Sequence, residues 1–353
     1  MRRFNPSMQI LRQALGARSG GQWSLPAWAL WIAVAAAAGC GGGATTGDAT
    51  TLPSDGSGGD SLGDAGNGSG GQDATNADGS GDATKDVVAP LKPPAGGYAA
   101  IFLDVGQGDA TVLIASTGEV ALIDGGVSKT LLAKRLARLG LTRVDTIVAT
   151  HADADHITGL PEALADYEVS RILWNGVSKG TQIFDAFLAA AKAETGAEIV
   201  IARRGDVFQL GNLQLEVLHP GPGADTSDDH NNESVVLQTG CAGGWLLMPG
   251  DSEHTAEDEM IAAGVLSDVD VLHAAHHGSS TGSGAAFLAK VQPEIAVISA
   301  GVENAYDHPD KEVVDRFEAA GMQIWRTDVG WDDDSVWMHA DCKGGLVFGR
   351  VGD

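Results

Sequence analysis

The chain has 353 residues, of which 43% are hydrophobic, and its formal net charge is −25. This length and apolar content suffice for one sizeable hydrophobic core. With 22 basic against 47 acidic residues, the composition disfavours a large basic patch of the kind that binds long nucleic acids without sequence preference.

The N-terminal segment has the pattern of a bacterial lipoprotein signal. Its only charges before residue 40 are arginines, and an apolar run at 25–38 follows them and leads to small residues directly before Cys40. We expect residues 1–39 to be a signal peptide and Cys40 to be lipidated, so that the chain is anchored outside the cytoplasm. Gly41, rather than Asp, follows the cysteine, which favours the outer membrane. A transmembrane anchor is the alternative, although the run is short of the roughly 20 residues that span a bilayer.

Residues 40–97, which begin at the lipidated cysteine, are predicted to be a disordered tether. Gly, Ser, Thr, Asp, Asn and Ala dominate from residue 41, and no aromatic residue occurs there before Tyr98. Such a segment cannot bury enough apolar surface to offset its ordering entropy. The first 97 residues carry six basic and eight acidic side chains, so the rest of the chain retains a formal charge of −23.

Residues 98–353 are predicted to form one α/β domain, because strand and helix patterns succeed each other without a second boundary. The predicted strands are 99–105, 110–115, 119–124, 143–149, 169–174, 198–201, 207–210, 213–218, 234–238, 245–248, 269–273, 295–299 and 323–326. The predicted helices are 129–139, 159–166, 181–194, 252–263, 284–290 and 311–320. Two β-rich runs, each followed by helices, favour two packed sheets with helices outside.

One short segment is the richest in metal-binding side chains. It follows the predicted strand 143–149 directly, and a strand that ends in a ligand-bearing loop is how a rigid scaffold presents a metal site. Imidazole nitrogens and carboxylate oxygens together suit zinc, manganese or iron. The ligand candidates of this segment are His151, Asp153, Asp155 and His156.

Further candidates follow later apolar strands. Asp251 comes directly after strand 245–248 and Gly250, where it is either a metal ligand or the cap of the next helix. His276 and His277 follow strand 269–273. Since neighbours on a strand point to opposite faces, we expect one of the two to face the site, and the sequence does not show which.

These motifs together resemble the metallo-β-lactamase fold, and within it the hydrolase domain at the C-terminus of ComEC-type DNA-uptake proteins. Several motifs in the right order make a specific match, whereas any one alone would be weak. The motifs are Phe102-Leu103-Asp104-Val105-Gly106-Gln107-Gly108-Asp109-Ala110, Leu122-Ile123-Asp124-Gly125-Gly126, His151-Ala152-Asp153-Ala154-Asp155-His156, Asn231-Asn232-Glu233-Ser234-Val235-Val236-Leu237, Pro249-Gly250-Asp251, His276-His277-Gly278-Ser279 and Tyr306-Asp307-His308-Pro309.

The resemblance implies an αβ/βα four-layer sandwich with two divalent metal ions, zinc or manganese, at the strand ends. It assigns His151 and Asp153 to the first ion and Asp155 and His156 to the second. Asp251 would bridge both ions. Many members of the fold have His where Asp153 stands, and the carboxylate raises the expectation of manganese beside zinc.

The resemblance also suggests roles for side chains around the ions. His276, His277 and His230 are candidate ligands, and His308 is a late ligand or a donor to the substrate. The alternatives to His230 are the pair Asn231 and Asn232 and the more distant His219. We expect the ligand side chains to be held in place by hydrogen bonds from three residues: Asp124, Asp109 and Asn232.

The function implied is hydrolysis of a phosphodiester by a hydroxide that two metals share. Asp155, Asp251, His277 and His308 are the residues expected to take part in catalysis. The substrate would be a small phosphodiester or a nucleic-acid fragment. A lactonase or β-lactamase-like hydrolase and a non-catalytic metal-binding lipoprotein are the alternatives.

The sequence leaves two further properties open. Cys241 and Cys342 would form a disulfide in an oxidising compartment if they lie close together, but their spacing does not fix their distance. The oligomeric state is unknown.

Overall fold

The computed structural model describes residues 92–223, 230–330 and 333–351. The predicted signal peptide, Cys40 and all but the last residues of the predicted tether lie outside the described residues. Over the described ranges, none of the helices combines the length and apolar character that a membrane crossing needs.

Strands and helices alternate through most of the described chain. The strands are β1 Tyr98–Phe102, β2 Thr111–Ala115, β3 Val120–Ile123, β4 Thr146–Ala149, β5 Arg171–Trp174, β6 Glu198–Ile201, β7 Val207–Leu210, β8 Leu213–His219, β9 Val236–Cys241, β10 Gly244–Met248, β11 Val271–His273, β12 Ile295–Ile298, β13 Gln323–Arg326, β14 Val336–Ala340 and β15 Leu346–Arg350. The helices are α1 Lys129–Arg138, α2 Ala154–Ile157, α3 Leu160–Asp166, α4 Gln182–Ala193, α5 His254–Ala263, α6 Ala285–Val291 and α7 Lys311–Ala319. Single 3-10 turns cover Asn231–Glu233 and Ala275–Gly278.

The strands form two sheets. The first has the order β15-β14-β1-β2-β3-β4-β5-β6, and the second has the order β13-β12-β11-β10-β9-β8-β7. β3 to β6 are parallel to one another, as are β10 to β13. Carboxyl ends of parallel strands lie at one edge of a sheet, so the loops after β4, β10 and β11 are placed at such edges.

Three hydrophobic clusters show how the layers stack. In β1, Ala99 and Ile101 pack with α1, α3 and α4, whereas Tyr98, Ala100 and Phe102 face the second sheet. This alternation is the two-residue period of a strand that is buried on both faces. A third cluster lies between the second sheet and α5, α6 and α7. The layer order is helix, sheet, sheet, helix, and the predicted αβ/βα sandwich is confirmed.

The C-terminal part of the chain differs from the prediction. β14 and β15 were not expected, and they return to the first sheet, where β14 pairs with β1. The Cys241–Cys342 disulfide, which the sequence left open, is formed and joins the end of β9 in the second sheet to the segment after β14 in the first. Its surroundings are tight, because a Cβ on Gly243 would lie 2.3 Å from the Cα of Gly344.

Candidate metal centre

The two sheets meet where the ligand-bearing loops leave them. The amide of Val235 donates a 2.9 Å hydrogen bond to the Thr150 carbonyl directly after β4. The amide of His276 donates in the same way, at 3.1 Å, to the carbonyl of Gly250 after β10. These bonds bring the ends of β4, β10 and β11 to one place.

Four side chains converge at that place. Each of Asp155, His156, Asp251 and His277 offers one ligand atom, and these atoms lie within 4.8 Å of one another. His156 Nε2 lies 3.1 Å from Asp251 Oδ1 and 3.3 Å from His277 Nε2. His277 Nε2 lies 3.3 Å from Asp155 Oδ2 and 3.5 Å from Asp251 Oδ2. Two imidazoles and two carboxylates form a donor set that suits zinc or manganese.

Carboxylates behind the two imidazoles fix which nitrogen faces the cluster. His156 Nδ1 donates to Asp124 Oδ2 at 2.8 Å, and His277 Nδ1 donates to Asp109 Oδ1 and to the Ser299 carbonyl, both at 3.1 Å. With Nδ1 as the donor, the neutral ring presents the lone pair of Nε2 to the cluster. This is the usual support of histidine ligands. Asp124 and Asp109 lie where such support requires them, and their role at a metal site stays a prediction.

The same contacts perturb the acid–base behaviour of the cluster. Burial opposes the charged form of His156 and His277, but Asp251 and the carboxylates behind the rings outweigh it and raise the pKa of both well above its usual value. Burial likewise opposes ionisation of Asp251 and Asp155, yet the nearby imidazoles hold the pKa of each below its usual value. Positive charge therefore stabilises the buried carboxylates, and either protons on the imidazoles or a metal ion can supply it.

Two buried polar atoms at this place bear on whether a metal ion would fit. His151 Nε2 and Asp251 Oδ1 make no hydrogen bond of normal geometry among the described residues, although Asp251 Oδ1 lies 3.1 Å from His156 Nε2. Unpartnered polar atoms are costly in a protein interior unless they bind an ion or water. Because they lie beside convergent Nε2 atoms and carboxylates, the residues at this edge fit a divalent cation.

Backbone strain is concentrated at the same residues. Asp124, His276 and His277 have φ values of 59°, 50° and 55°, in the left-handed region that non-glycine residues seldom adopt. Such strain costs about 1–3 kcal/mol per residue and persists where the surroundings enforce it, as they often do at functional sites. Position 108 requires glycine for a steric reason. A Cβ added there would lie 2.0 Å from the carbonyl oxygen of Asp155.

The structure distinguishes the two neighbouring histidines. His277 is buried and points into the cluster, whereas His276 lies at its rim with a side chain that is 22% exposed. His276 Nε2 is 3.7 Å from Asp251 Oδ2, and its Nδ1 is 3.2 Å from Glu253 Oε1. The expectation of opposite faces assumed a strand, but both residues lie in a turn.

His308 also lies at the rim. Its ring centroid is 5.7 Å from that of His276 and 5.8 Å from that of Tyr306, on which it stacks. Burial and the neighbouring His276 lower the pKa of His308, which favours its neutral form. A neutral imidazole with one N–H suits a donor to substrate, the second of the two roles predicted for it.

The position expected for the first metal ion is less complete. His151 Nε2 lies 3.8 Å from Asp251 Oδ2 and 4.0 Å from Asp153 Oδ1. The Asp153 carboxylate is ion-paired with Lys179, whose Nζ lies 2.5 Å from Oδ1. Among the described residues, the convergent groups of three or more ligand side chains do not include His151, Asp153 or His230.

Other predicted residues lie around the centre. Asn232 Oδ1 accepts hydrogen bonds from the amides of Glu253 and Ala256, so it caps α5 and fixes the loop after Asp251. His219 Nε2 lies 3.3 Å from Glu259 Oε2, which gives it a partner of its own. Lys179, whose segment has no ligand pattern, was missed by sequence reasoning, as was Glu253, which follows the candidate ligand Asp251 by two residues.

Comparison with known proteins places the chain in a family. The model of a family described as the metallo-beta-lactamase superfamily matches residues 103–302, a range that includes Asp155, His156, Asp251 and His277. The ComE operon protein 3 of Bacillus subtilis (strain 168) is 31% identical over 248 residues, or 64% of this chain and 31% of that protein. The competence protein ComA of Neisseria gonorrhoeae is 31% identical over 246 residues, or 68% and 32%. The chain thus spans about a third of the length of these relatives.

Solved structures with a similar arrangement share little sequence with the chain. Igni18, a metallo hydrolase of the archaeon Ignicoccus hospitalis, is 18% identical with a TM-score of 0.42, and the match covers 67% of this chain and 98% of that one. A diphosphatase of the PhnP family is 16% identical with a TM-score of 0.42, and the match covers 68% and 97%.

Proposed function

We propose that this chain, which belongs to the metallo-β-lactamase superfamily, is a metal-dependent hydrolase of phosphodiesters that works outside the cytoplasm. The observation that carries the proposal is the convergence of Asp155, His156, Asp251 and His277 at the strand ends. The relative named as a competence protein, together with the resemblance to ComEC-type DNA-uptake proteins, supports a phosphodiester over an acyl substrate.

The four convergent side chains would hold a divalent ion, zinc or manganese. When bound, such an ion would supply Lewis-acid stabilisation of a phosphoryl oxygen and would lower the pKa of a water molecule. Asp155 has the most exposed side chain of the four, at 24%, so its carboxylate is placed to accept the proton of the attacking water. His308, at the rim, would donate a hydrogen bond to an oxygen of the substrate as negative charge develops there.

An exposed aromatic ring at the rim supports a substrate that carries a nucleobase. Tyr306 is 64% exposed, and its ring stacks on His308 with an interplanar angle of 17°. Nucleobases stack on exposed aromatic side chains in proteins that bind single strands. The formal charge of −23 on residues 98–353 opposes long polyanions, so we favour nucleotides and short fragments over duplex DNA.

The disulfide supports a location outside the cytoplasm, because such bonds persist in oxidising compartments. The proposed anchor is a lipid on Cys40, in the outer membrane where the cell has two. Labelled palmitate should be incorporated into the full chain and not into a Cys40→Ser variant. Equal incorporation into both would contradict the anchor.

The function is tested with the purified full chain and bis-p-nitrophenyl phosphate, with and without added Mn²⁺ or Zn²⁺. We expect metal-dependent turnover that Asp251→Asn abolishes, since that change removes a carboxylate from the centre. Asp315→Asn, the same change on the exposed face of α7, is the matched control and should leave turnover intact. Turnover that survives Asp251→Asn would reject the proposal. Turnover only of a lactone or of nitrocefin in the same panel would instead favour acyl chemistry.

A further inference from the structure

We propose that the Lys179 ammonium takes the place of the first of the two expected metal ions, so that the centre holds one divalent ion. The inference rests on the proposed metal centre and determines its composition. A site for one ion and a lysine differs in charge and in ligand demand from the two-ion site that the resemblance implies.

The positions expected for the two metal ions differ in the number of ligands that converge on them. Asp155, His156, Asp251 and His277 supply four converging atoms, whereas the first position has His151 and Asp153 with 4.0 Å between Nε2 and Oδ1. A third ligand does not reach them from His230, which belongs to no convergent group in the described chain. Asp251 Oδ2 lies 3.8 Å from His151 Nε2, but Asp251 already belongs to the group of four. A cation at the first position would share Asp251 with the other ion, so it would depend on the carboxylate of Asp153.

The carboxylate that would complete the first position already has a cationic partner. Lys179 Nζ lies 2.5 Å from Asp153 Oδ1, and the two side chains are 29% and 28% exposed. An ammonium has three donors and no lone pair, so it balances the charge of Asp153 without acting as a metal ligand. A metal ion at Asp153 would have to displace Lys179 or lie beside a like charge.

The loop that carries Lys179 is held in place from both ends. Asn175 Oδ1 accepts a 3.0 Å hydrogen bond from the amide of Val177, and Asn175 Nδ2 donates to the carbonyl of Glu233 at 3.0 Å. At the other end, Thr181 caps α4 by accepting from the amide of Phe184 at 3.2 Å. Lys179 therefore reaches Asp153 from a loop that hydrogen bonds hold at both ends.

The test is a count of bound metal in the full chain, measured by mass spectrometry after equilibration with excess Mn²⁺ and removal of free ions. We expect one ion per chain in the wild type and in Lys179→Arg. Lys179→Gln should bind a second ion, because it removes the cationic partner of the Asp153 carboxylate while keeping a polar side chain in the loop. Electron paramagnetic resonance should show an isolated Mn²⁺ in the wild type and a coupled pair in Lys179→Gln. Thermal melts would verify that each variant is folded.

Each other outcome rejects the inference in its own way. Two ions in the wild type would overturn it and leave the proposed hydrolase standing. One ion in Lys179→Gln would show that Lys179 does not hold the position. No ion in a folded wild type would reject both this inference and the proposed function.

Discussion

Asp124 accepts a 2.8 Å hydrogen bond from His156 Nδ1, and its own backbone has a φ of 59°. The same carboxylate accepts from the amide and from the hydroxyl of Thr150 at 2.8 and 2.7 Å. One acidic side chain thus joins the end of β4 to an imidazole of the metal centre. Its strained backbone indicates that these three bonds compensate for an unfavourable conformation.

Asp124→Asn should therefore weaken metal binding about 10- to 100-fold, as is usual when the support of a histidine ligand is lost. The amide of Thr150 requires an oxygen, so the new NH₂ group faces His156 Nδ1 and forces the ring into the other tautomer. Nε2 would then carry the proton and lose its lone pair. Asparagine tolerates positive φ, so the backbone should be preserved. Calorimetric titration with Mn²⁺ measures the effect, and Asp315→Asn should bind as the wild type does.

The disulfide should make a large contribution to stability. It links residues that are 101 positions apart and ties the second sheet to the first. A closed loop of that length restricts the unfolded chain, so we expect a double Cys241→Ser/Cys342→Ser variant to lose roughly 3–5 kcal/mol of unfolding free energy. Chemical denaturation under oxidising conditions measures it. Cys40→Ser is the matched control, and equal stability of all three proteins would contradict the prediction.

Much of the architecture could be predicted because apolar runs mark strands that are buried on both faces. The exceptions have physical causes. β14 pairs with β1 across more than two hundred residues, and His339 interrupts its apolar sequence. Such a distant pairing leaves no local signal. Lys179 likewise reaches Asp153 from an irregular loop, where neither periodicity nor a motif indicates a partner.

The choice between His276 and His277 was unpredictable for another reason. The alternation rule holds for extended backbone, but both residues have positive φ and lie in a tight turn. By contrast, the closely spaced residues 151–156 were identifiable, because a helix start after β4 keeps their side chains on one edge. The close spacing of candidate ligands is visible in the sequence. The directions of the His276 and His277 side chains depend on a strained turn, so they required the structure.

Metal affinity should rise with pH. In the metal-free protein the pKa of His156 and of His277 is raised, so each ring keeps its second proton to a higher pH than a free imidazole does, and a metal must displace that proton. Affinity should increase until the pH exceeds those pKa values. The sign is opposite for metal-free stability, because a raised folded pKa stabilises below the unfolded value of about 6.5 and that gain is lost as pH rises through the folded pKa.

Calorimetry in buffers of different ionisation enthalpy should detect the protons that are released on metal binding. Thermal melts with and without Mn²⁺ should diverge as the pH rises. Affinity that stays constant from acidic to basic pH would show that the two histidines bind as neutral rings throughout.

Removal of the Tyr306 ring should weaken binding of substrates that carry a base. Tyr306 is exposed and stacks on His308 at the rim of the centre, and stacking on an aromatic side chain contributes about 1–3 kcal/mol per base. For Tyr306→Ala we expect kcat/KM for thymidine 5′-(p-nitrophenyl phosphate) to fall about 5- to 10-fold, near the low end of that range. Methyl p-nitrophenyl phosphate, which has the same leaving group and no base, should be affected far less. Tyr306→Phe keeps the ring and should behave as the wild type. An equal loss for both esters would mean that Tyr306 only supports His308, and the preference for nucleotides would have to be abandoned.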